Sequence, residues 1–140
     1  EIGGILGRQQ LQRLDENNLI RTRNHNRFLS TINDKVYKTD FFTEGSSNYA
    51  FNLILNEPNS DLMNGLMNAL NDNEVEFRLG SAGGGNQLRQ PYLRNIVKSD
   101  DWKNFPVTDH VHFYGLYIGN FPDLKLEEVD DIVEIINSAV

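Results

Sequence analysis

The stretch "DHVHFYGLYIGN", Asp109–Asn120, decides how the rest of the chain is to be assembled. Taken as one extended run it predicts the third strand of a small sheet, and it puts His110, His112 and Tyr114 on the same face, because strand side chains alternate with a period of two. Upstream of it, "EVEFRL" (Glu74–Leu79) reads as a short strand with Val75, Phe77 and Leu79 on one side. Further upstream, "SSNYAFNLILNE" (Ser46–Glu57) gives the strongest strand signal. Tyr49, Phe51, Leu53 and Leu55 fall on one face, and Asn48, Ala50, Asn52 and Ile54 on the other. Downstream, "FPDL" makes a turn, and Leu126, Val129, Val133 and Ile136 define a closing helix.

Between the first two strands, Pro58 stops the extended run and Ser60 is placed to cap a helix. Leu62, Met63, Leu66, Met67 and Leu70 form its apolar stripe, while Gly65 costs about 1 kcal/mol relative to alanine. The chain opens with a long, largely polar helix from about Ile2 to Ile32, with a break expected near Asn24–Asn26. Its apolar stripe is thin for its length, as in helices that pack against another part of a protein. The order is helix, strand, helix, strand, loop, strand, helix. That pattern predicts an α+β layer, about three strands with helices on one face.

The 140 residues suit one domain. Thirteen basic against twenty acidic side chains give a net charge of −7, which argues against wholesale binding of nucleic acid or anionic membrane. The absence of cysteine removes disulfides and thiolate metal sites. No apolar run approaches the ~20 residues of a membrane span, and the polar N-terminus is no signal peptide. The expected location is the cytoplasm. The chain begins at Glu1 and runs straight into a helical pattern, which suggests a cut in a longer protein.

The segment "LGSAGGGNQLRQPYLR" (Leu79–Arg94) is the main candidate for chemistry. It lacks the Gly-Lys-Ser/Thr ending of a P-loop. Gly83 and Gly85 are spaced as Gly-x-Gly, but Leu88 stands where a third glycine belongs. The glycines therefore read as a turn needing positive φ or a close backbone approach. Asn86, Gln87, Arg89, Gln90, Tyr92 and Arg94 concentrate donors there, and arginine suits a bidentate grip on phosphate. A solvated loop with a salt bridge is the competing reading. His110 and His112 alone supply too few ligands for zinc, so no metal site is expected. The acidic side chains of the closing helix form a solvated face, and no Ser-His-Asp arrangement is legible.

Four segments, "EIGGILGRQQLQRLDE", "EGSSNYAFNLIL", "VEFRLGSAGGGNQLRQPYL" and "TDHVHFYGLYIGNFPDL", together resemble the C-terminal part of the DegT-type family of pyridoxal-phosphate (PLP) enzymes. The resemblance runs nearly end to end. Ala82, Asn86, Arg89, Gln90 and Pro91 are similar to the family's dehydratase branch, and "YIGNFPDL" to the same branch, although the extra glycines depart from its pattern. The resemblance implies the small C-terminal domain of a fold-type-I enzyme. Residues 1–32 would then be a helix leading from a missing large domain, and 33–140 the small domain itself.

The implied activity is that of a PLP- or PMP-dependent aminotransferase or 3-dehydratase. Its substrate would be a nucleotide-linked 4-keto-6-deoxy sugar in lipopolysaccharide biosynthesis. Substrate contacts are expected from Asn86, Arg89, Gln90, His112 and Tyr114, with Arg89 supplying positive charge for a phosphate. Catalytic and cofactor-binding residues are expected outside this chain, since none of Lys35, Lys38, Lys98, Lys103 and Lys125 sits in a context like the family's cofactor lysine. The full-length parent is expected to be a homodimer, and this chain alone to be inactive and to bind no PLP. The competing reading is a stand-alone, non-catalytic module that binds a nucleotide-sugar or a protein.

Overall fold

The computed structural model describes residues 2–82 and 85–140, so the expectations resting on Gly83, Gly84 and Glu1 lie outside the described residues. Two helices open the chain, α1 (Ile2–Leu11) and α2 (Leu14–Thr31), followed by strand β1 (Ala50–Ile54) and helix α3 (Ser60–Asp72). Strand β2 (Phe77–Leu79), three short 3₁₀ turns between Gln87 and Asn104, helix α4 (Pro106–Tyr114), strand β3 (Gly115–Gly119) and helix α5 (Leu126–Ser138) complete it.

The sheet has the order β1-β3-β2, antiparallel throughout. Its register aligns Phe51 with Ile118 and Phe77, and Leu53 with Leu116 and Leu79. Residues opposite one another in an antiparallel pair share a face. Phe51, Leu53, Leu55, Leu116 and Ile118 accordingly lie buried in one apolar cluster with Phe28 of α2, Met63, Leu66 and Leu70 of α3, and Val129, Val133 and Ile136 of α5. The fold is α+β, with these three helices covering one face of three strands.

The strand signal in β1 and the stripes in α3 and α5 follow the expected periods, and local detail corrects three points. Asn59, not Ser60, caps α3: its side chain accepts from the Leu62 N–H at 2.9 Å, and Ser60 is the first helical residue. Tyr49 is 64% exposed instead of joining Phe51 and Leu53. The preceding Asn48 adopts φ +49°, which breaks the pleat, and Tyr49 meets Tyr117 edge-on. The opening helix is interrupted at Gln12–Arg13, not near Asn24–Asn26. Asn24 and His25 face the core, where the Asn24 amide donates to the Leu124 carbonyl at 3.1 Å and His25 stacks on Phe51.

The largest correction falls on Asp109–Asn120, which is half helix and half strand. Pro106 occupies the first turn of α4, where its missing N–H costs nothing and its φ suits a helix. The helix passes straight into β3 at Gly115. Val, His, Phe and Tyr favour strands intrinsically, but tertiary context overrides that preference. Close packing explains the switch point: a Cβ on Gly80 would lie 1.9 Å from the Val111 carbonyl oxygen, and one on Gly115 2.7 Å from it. Only glycine lets β2 and the start of β3 approach the last turn of α4 so closely.

Helix α1 buries none of its residues, and Ile2, Ile5, Leu6 and Leu11 are exposed on it, as is Leu14 at the start of α2. Among the described residues no helix is long and apolar enough to cross a membrane.

Candidate functional site

Because α4 is a helix, His110 and His112 point to different sides of it, about 200° apart. The His110 Nε2 lies 2.6 Å from the Leu55 carbonyl oxygen, which ties α4 to the end of β1. His112 turns to the glycine loop, where its Nδ1 accepts from the Asn86 N–H at 3.1 Å. An accepting Nδ1 leaves the ring proton on Nε2. The contact requires the backbone at Gly85, which has φ +52°; a Cβ there would come within 2.2 Å of that same Nδ1.

Asp109, one turn before His112 on α4, gathers the rest. Arg89 grips its carboxylate with both Nε and Nη2, the latter at 2.7 Å, and the Asn86 Nδ2 donates to it at 3.0 Å. Hydrogen bonding by Arg89 holds the Asp109 carboxyl below its usual range. Burial opposes that effect, while Asn86 and the nearby charges reinforce it. The same hydrogen bond raises the pKa of Arg89. The guanidinium lies 3.5 Å over the Trp102 ring, with the Phe113 ring 4.9 Å from it on the centroid. A fork of this kind fixes a planar side chain and leaves its outer N–H groups free to donate.

Of the residues singled out in the sequence, the structure brings Asn86, Arg89 and His112 into one network. Asn86 is only 2% exposed, and its Oδ1 accepts from the Leu88 N–H. Both ends of its side chain are thus engaged within the protein. Gln90 sits at the joint between the turns Gln87–Arg89 and Pro91–Leu93. Tyr114 and His112 line a cleft of about 270 Å³ with Ser60, Asn64 and Ser81. Among the described residues, no group of three or more His, Asp or Glu could hold a metal ion.

Sequence reasoning missed Asp109 and Trp102. Asp109 stood only as the first residue of a supposed strand, and nothing in the sequence pattern drew attention to Trp102. The i, i+3 spacing of Asp109 and His112 behind Pro106 was the available signal, since it places both on one side of a helix.

A layer of helices on a three-stranded antiparallel sheet, with a glycine loop pinned to the helix that enters the central strand, defines a small α+β domain. The model of the DegT/DnrJ/EryC1/StrS aminotransferase family matches residues 1–137, and the chain belongs to that family. A comparison with curated protein sequences gives no match.

Solved structures share the fold. A GDP-4-keto-6-deoxy-D-mannose-3-dehydratase from E. coli with bound hydrated PLP superposes with a TM-score of 0.80 at 22% identity, over 95% of this chain and 34% of that one. A protein described as a sugar aminotransferase from Streptococcus pneumoniae, in its PMP form, gives 0.78 at 18% identity, over 96% and 33%. A 3-amino-5-hydroxybenzoic acid synthase gives 0.75 at 20%, over 94% and 36%. The chain spans about a third of the length of these structures.

The family implies PLP, and the described residues do not by themselves fit it. A lysine that condenses with a carbonyl is activated by desolvation or a neighbouring cation. Lys35, Lys98, Lys103 and Lys125 are exposed, and the half-buried Lys38 pairs with Asp40.

Proposed function

We propose that this chain is the small C-terminal domain of a PLP- or PMP-dependent enzyme that acts on a nucleotide-linked 4-keto-6-deoxy sugar, by 3-dehydration or by amination. In this reading it closes over a larger cofactor-binding domain. The observation that carries the proposal is the Asn86–Arg89–Asp109–His112 network, set in a chain that matches the family over nearly its whole length.

Arg89 is the substrate contact. Asp109 and Trp102 hold its guanidinium in place, so the remaining N–H groups meet an anionic oxygen at little cost in ordering. Asn86 is a positioning residue that acts through Asp109 and His112. His112 and Tyr114 face the sugar across the cleft of mixed lining they share with Ser60, Asn64 and Met63, where Nε2–H and a phenol supply donors for hydroxyl groups. Gln90 orients the turn that carries Arg89. The exposed apolar residues of α1 and of the start of α2 pack against the large domain, and the full-length protein works as a cytoplasmic homodimer in lipopolysaccharide-type sugar biosynthesis. Alone, the chain holds no PLP and turns over no substrate.

The test is an assay of the full-length protein, loaded with PLP, on a nucleotide-linked 4-keto-6-deoxyhexose with glutamate present. Loss of the 3-hydroxyl or gain of a 4-amino group supports the reading, and product analysis separates the two branches. An enzyme that loads PLP yet leaves such substrates unchanged contradicts it.

A further inference from the structure

The two histidines of α4 make hydrogen bonds of opposite polarity. The His110 Nε2 meets the Leu55 carbonyl oxygen, which can only accept, so the imidazole is the donor and a second ring proton leaves the bond intact. His112 is the reverse case: its Nδ1 is the acceptor for the Asn86 N–H at 3.1 Å. An imidazolium carries a proton on both nitrogens and accepts nothing. A proton taken up at Nδ1 therefore meets the Asn86 N–H donor to donor.

The surroundings leave that conflict without a local remedy. Asn86 is 2% exposed, so its N–H is shut off from water, and a buried donor without a partner is costly. Gly85 lies so close to the ring that a Cβ there would come within 2.2 Å of Nδ1. The extra hydrogen is accommodated only if the ring turns or the loop backs away.

The charged groups around His112 favour release. From α3 and the end of β2, the cleft is lined by Ser60, Met63, Asn64, Met67, Leu79 and Ser81, none of them charged. On its own helix, Asp109 lies one turn earlier and interacts electrostatically with it, and the Tyr114 phenol shares the cleft. From the 3₁₀ turns comes Arg89, held on Asp109. A charged His112 is thus a second cation beside a carboxylate that already serves Arg89 and Asn86. Proton uptake removes the bond at the Asn86 N–H and sets a competitor against the one at Arg89.

We propose that the Asn86–His112 bond is a proton-operated latch: with His112 neutral the glycine loop is locked to α4, and proton uptake by the ring releases it. The latch is a property of this chain's own groups. That its release withdraws Arg89 from a substrate rests on the nucleotide-sugar reading.

The test is heteronuclear NMR of the chain from about pH 8 to pH 5, the range in which imidazoles titrate. The three histidine rings are followed individually, and amide exchange corrected for its intrinsic pH dependence gives the protection of Asn86. Phe51, paired with Ile118 in the sheet, reports global opening and serves as the reference. Relative to Phe51, Asn86 protection is expected to fall roughly 10- to 100-fold in step with the His112 ring signal, the cost of a buried donor left unsatisfied. His112→Phe keeps a ring without an acceptor, so Asn86 should be unprotected across the whole range. In His25→Phe the relative fall should be as in the unsubstituted chain.

Asn86 protection that stays level relative to Phe51 while His112 titrates overturns the proposal. So does a fall that follows the ring of His25 or His110, or an Asn86 amide still protected in His112→Phe. A parent enzyme active on nucleotide-sugars whose Asn86 shows no such step keeps the functional reading and loses the latch. The step in a parent inert towards nucleotide-sugars upholds the latch and removes the reading.

Discussion

Asp109 and Arg89, twenty residues apart, are joined through both carboxylate oxygens, and Arg89 is in turn stacked on Trp102. Together with the Asn86 contacts to Asp109 and His112, this pair fixes a loop whose regular structure consists of short 3₁₀ turns. Asp109→Asn removes the charge and keeps the shape, leaving a half-enclosed guanidinium without its counter-ion. The expected loss is about 1–3 kcal/mol, between the values for surface and fully buried pairs. Urea unfolding followed by the fluorescence of Trp102 measures it, and a red-shifted native spectrum should accompany the loss. Unchanged stability and spectrum would show that the pair does not hold the loop.

Acid should act on the same pair with a definite sign. The Asp109 carboxyl is held below its ordinary value in the folded chain, first by the Arg89 hydrogen bond. The unfolded chain therefore takes up the proton first as pH falls. The stabilisation is fully present above about pH 3.8, the ordinary aspartate value, and is lost as pH falls through the lower folded value. In Asp109→Asn this part of the acid dependence should vanish, which unfolding midpoints between pH 2 and 5 would reveal.

His25 adds a second slope at higher pH. Burial against Phe51 lowers its pKa from the ordinary 6.5, and its Nδ1 has no partner. Below about pH 6.5 the unfolded chain binds a proton that the folded chain resists, so stability declines from there until the folded value is reached. His25→Phe keeps an aromatic ring over Phe51 and should flatten the curve between pH 5 and 6.5. A curve of unchanged shape would contradict the assignment.

Two glycines should respond oppositely to alanine. Gly85→Ala forces φ +52° on a residue with a Cβ and drives that atom against His112, so a loss of about 1–3 kcal/mol is expected. Gly65→Ala sits in α3, where the added Cβ would make an ordinary 3.6 Å contact with the Ala139 carbonyl oxygen. Better helix propensity should stabilise it by about 1 kcal/mol. Thermal unfolding of the two variants tests both signs in one experiment.

What the sequence made legible follows from how local each signal is. Phe51, Leu53 and Leu55 alternate, and Met63, Leu66 and Leu70 recur at helical spacing, because each set faces one continuous core. The fold class and the covering helices α3 and α5 could be read from such periods, whereas the place of α2 over the sheet rests on Phe28 in an otherwise polar helix. Asp109–Tyr114 could not, because β-branched and aromatic side chains there mask a helix imposed by Pro106 and by the close approach of Gly80 and Gly115 to Val111. Arg89, Asn86 and His112 were legible as polar residues near a glycine turn. Their meeting at Asp109 was not, since the i, i+3 spacing places Asp109 and His112 on one side of a helix but does not say that the loop reaches that side.

The central claim, that the loop pinned to α4 is the substrate-facing part of a nucleotide-sugar enzyme, is tested most directly by the kinetics of Arg89→Ala in the full-length protein. The account predicts a rise of roughly tenfold or more in the KM for the nucleotide-sugar, the cost of one charge-assisted contact. Unchanged KM and kcat in that variant would contradict it.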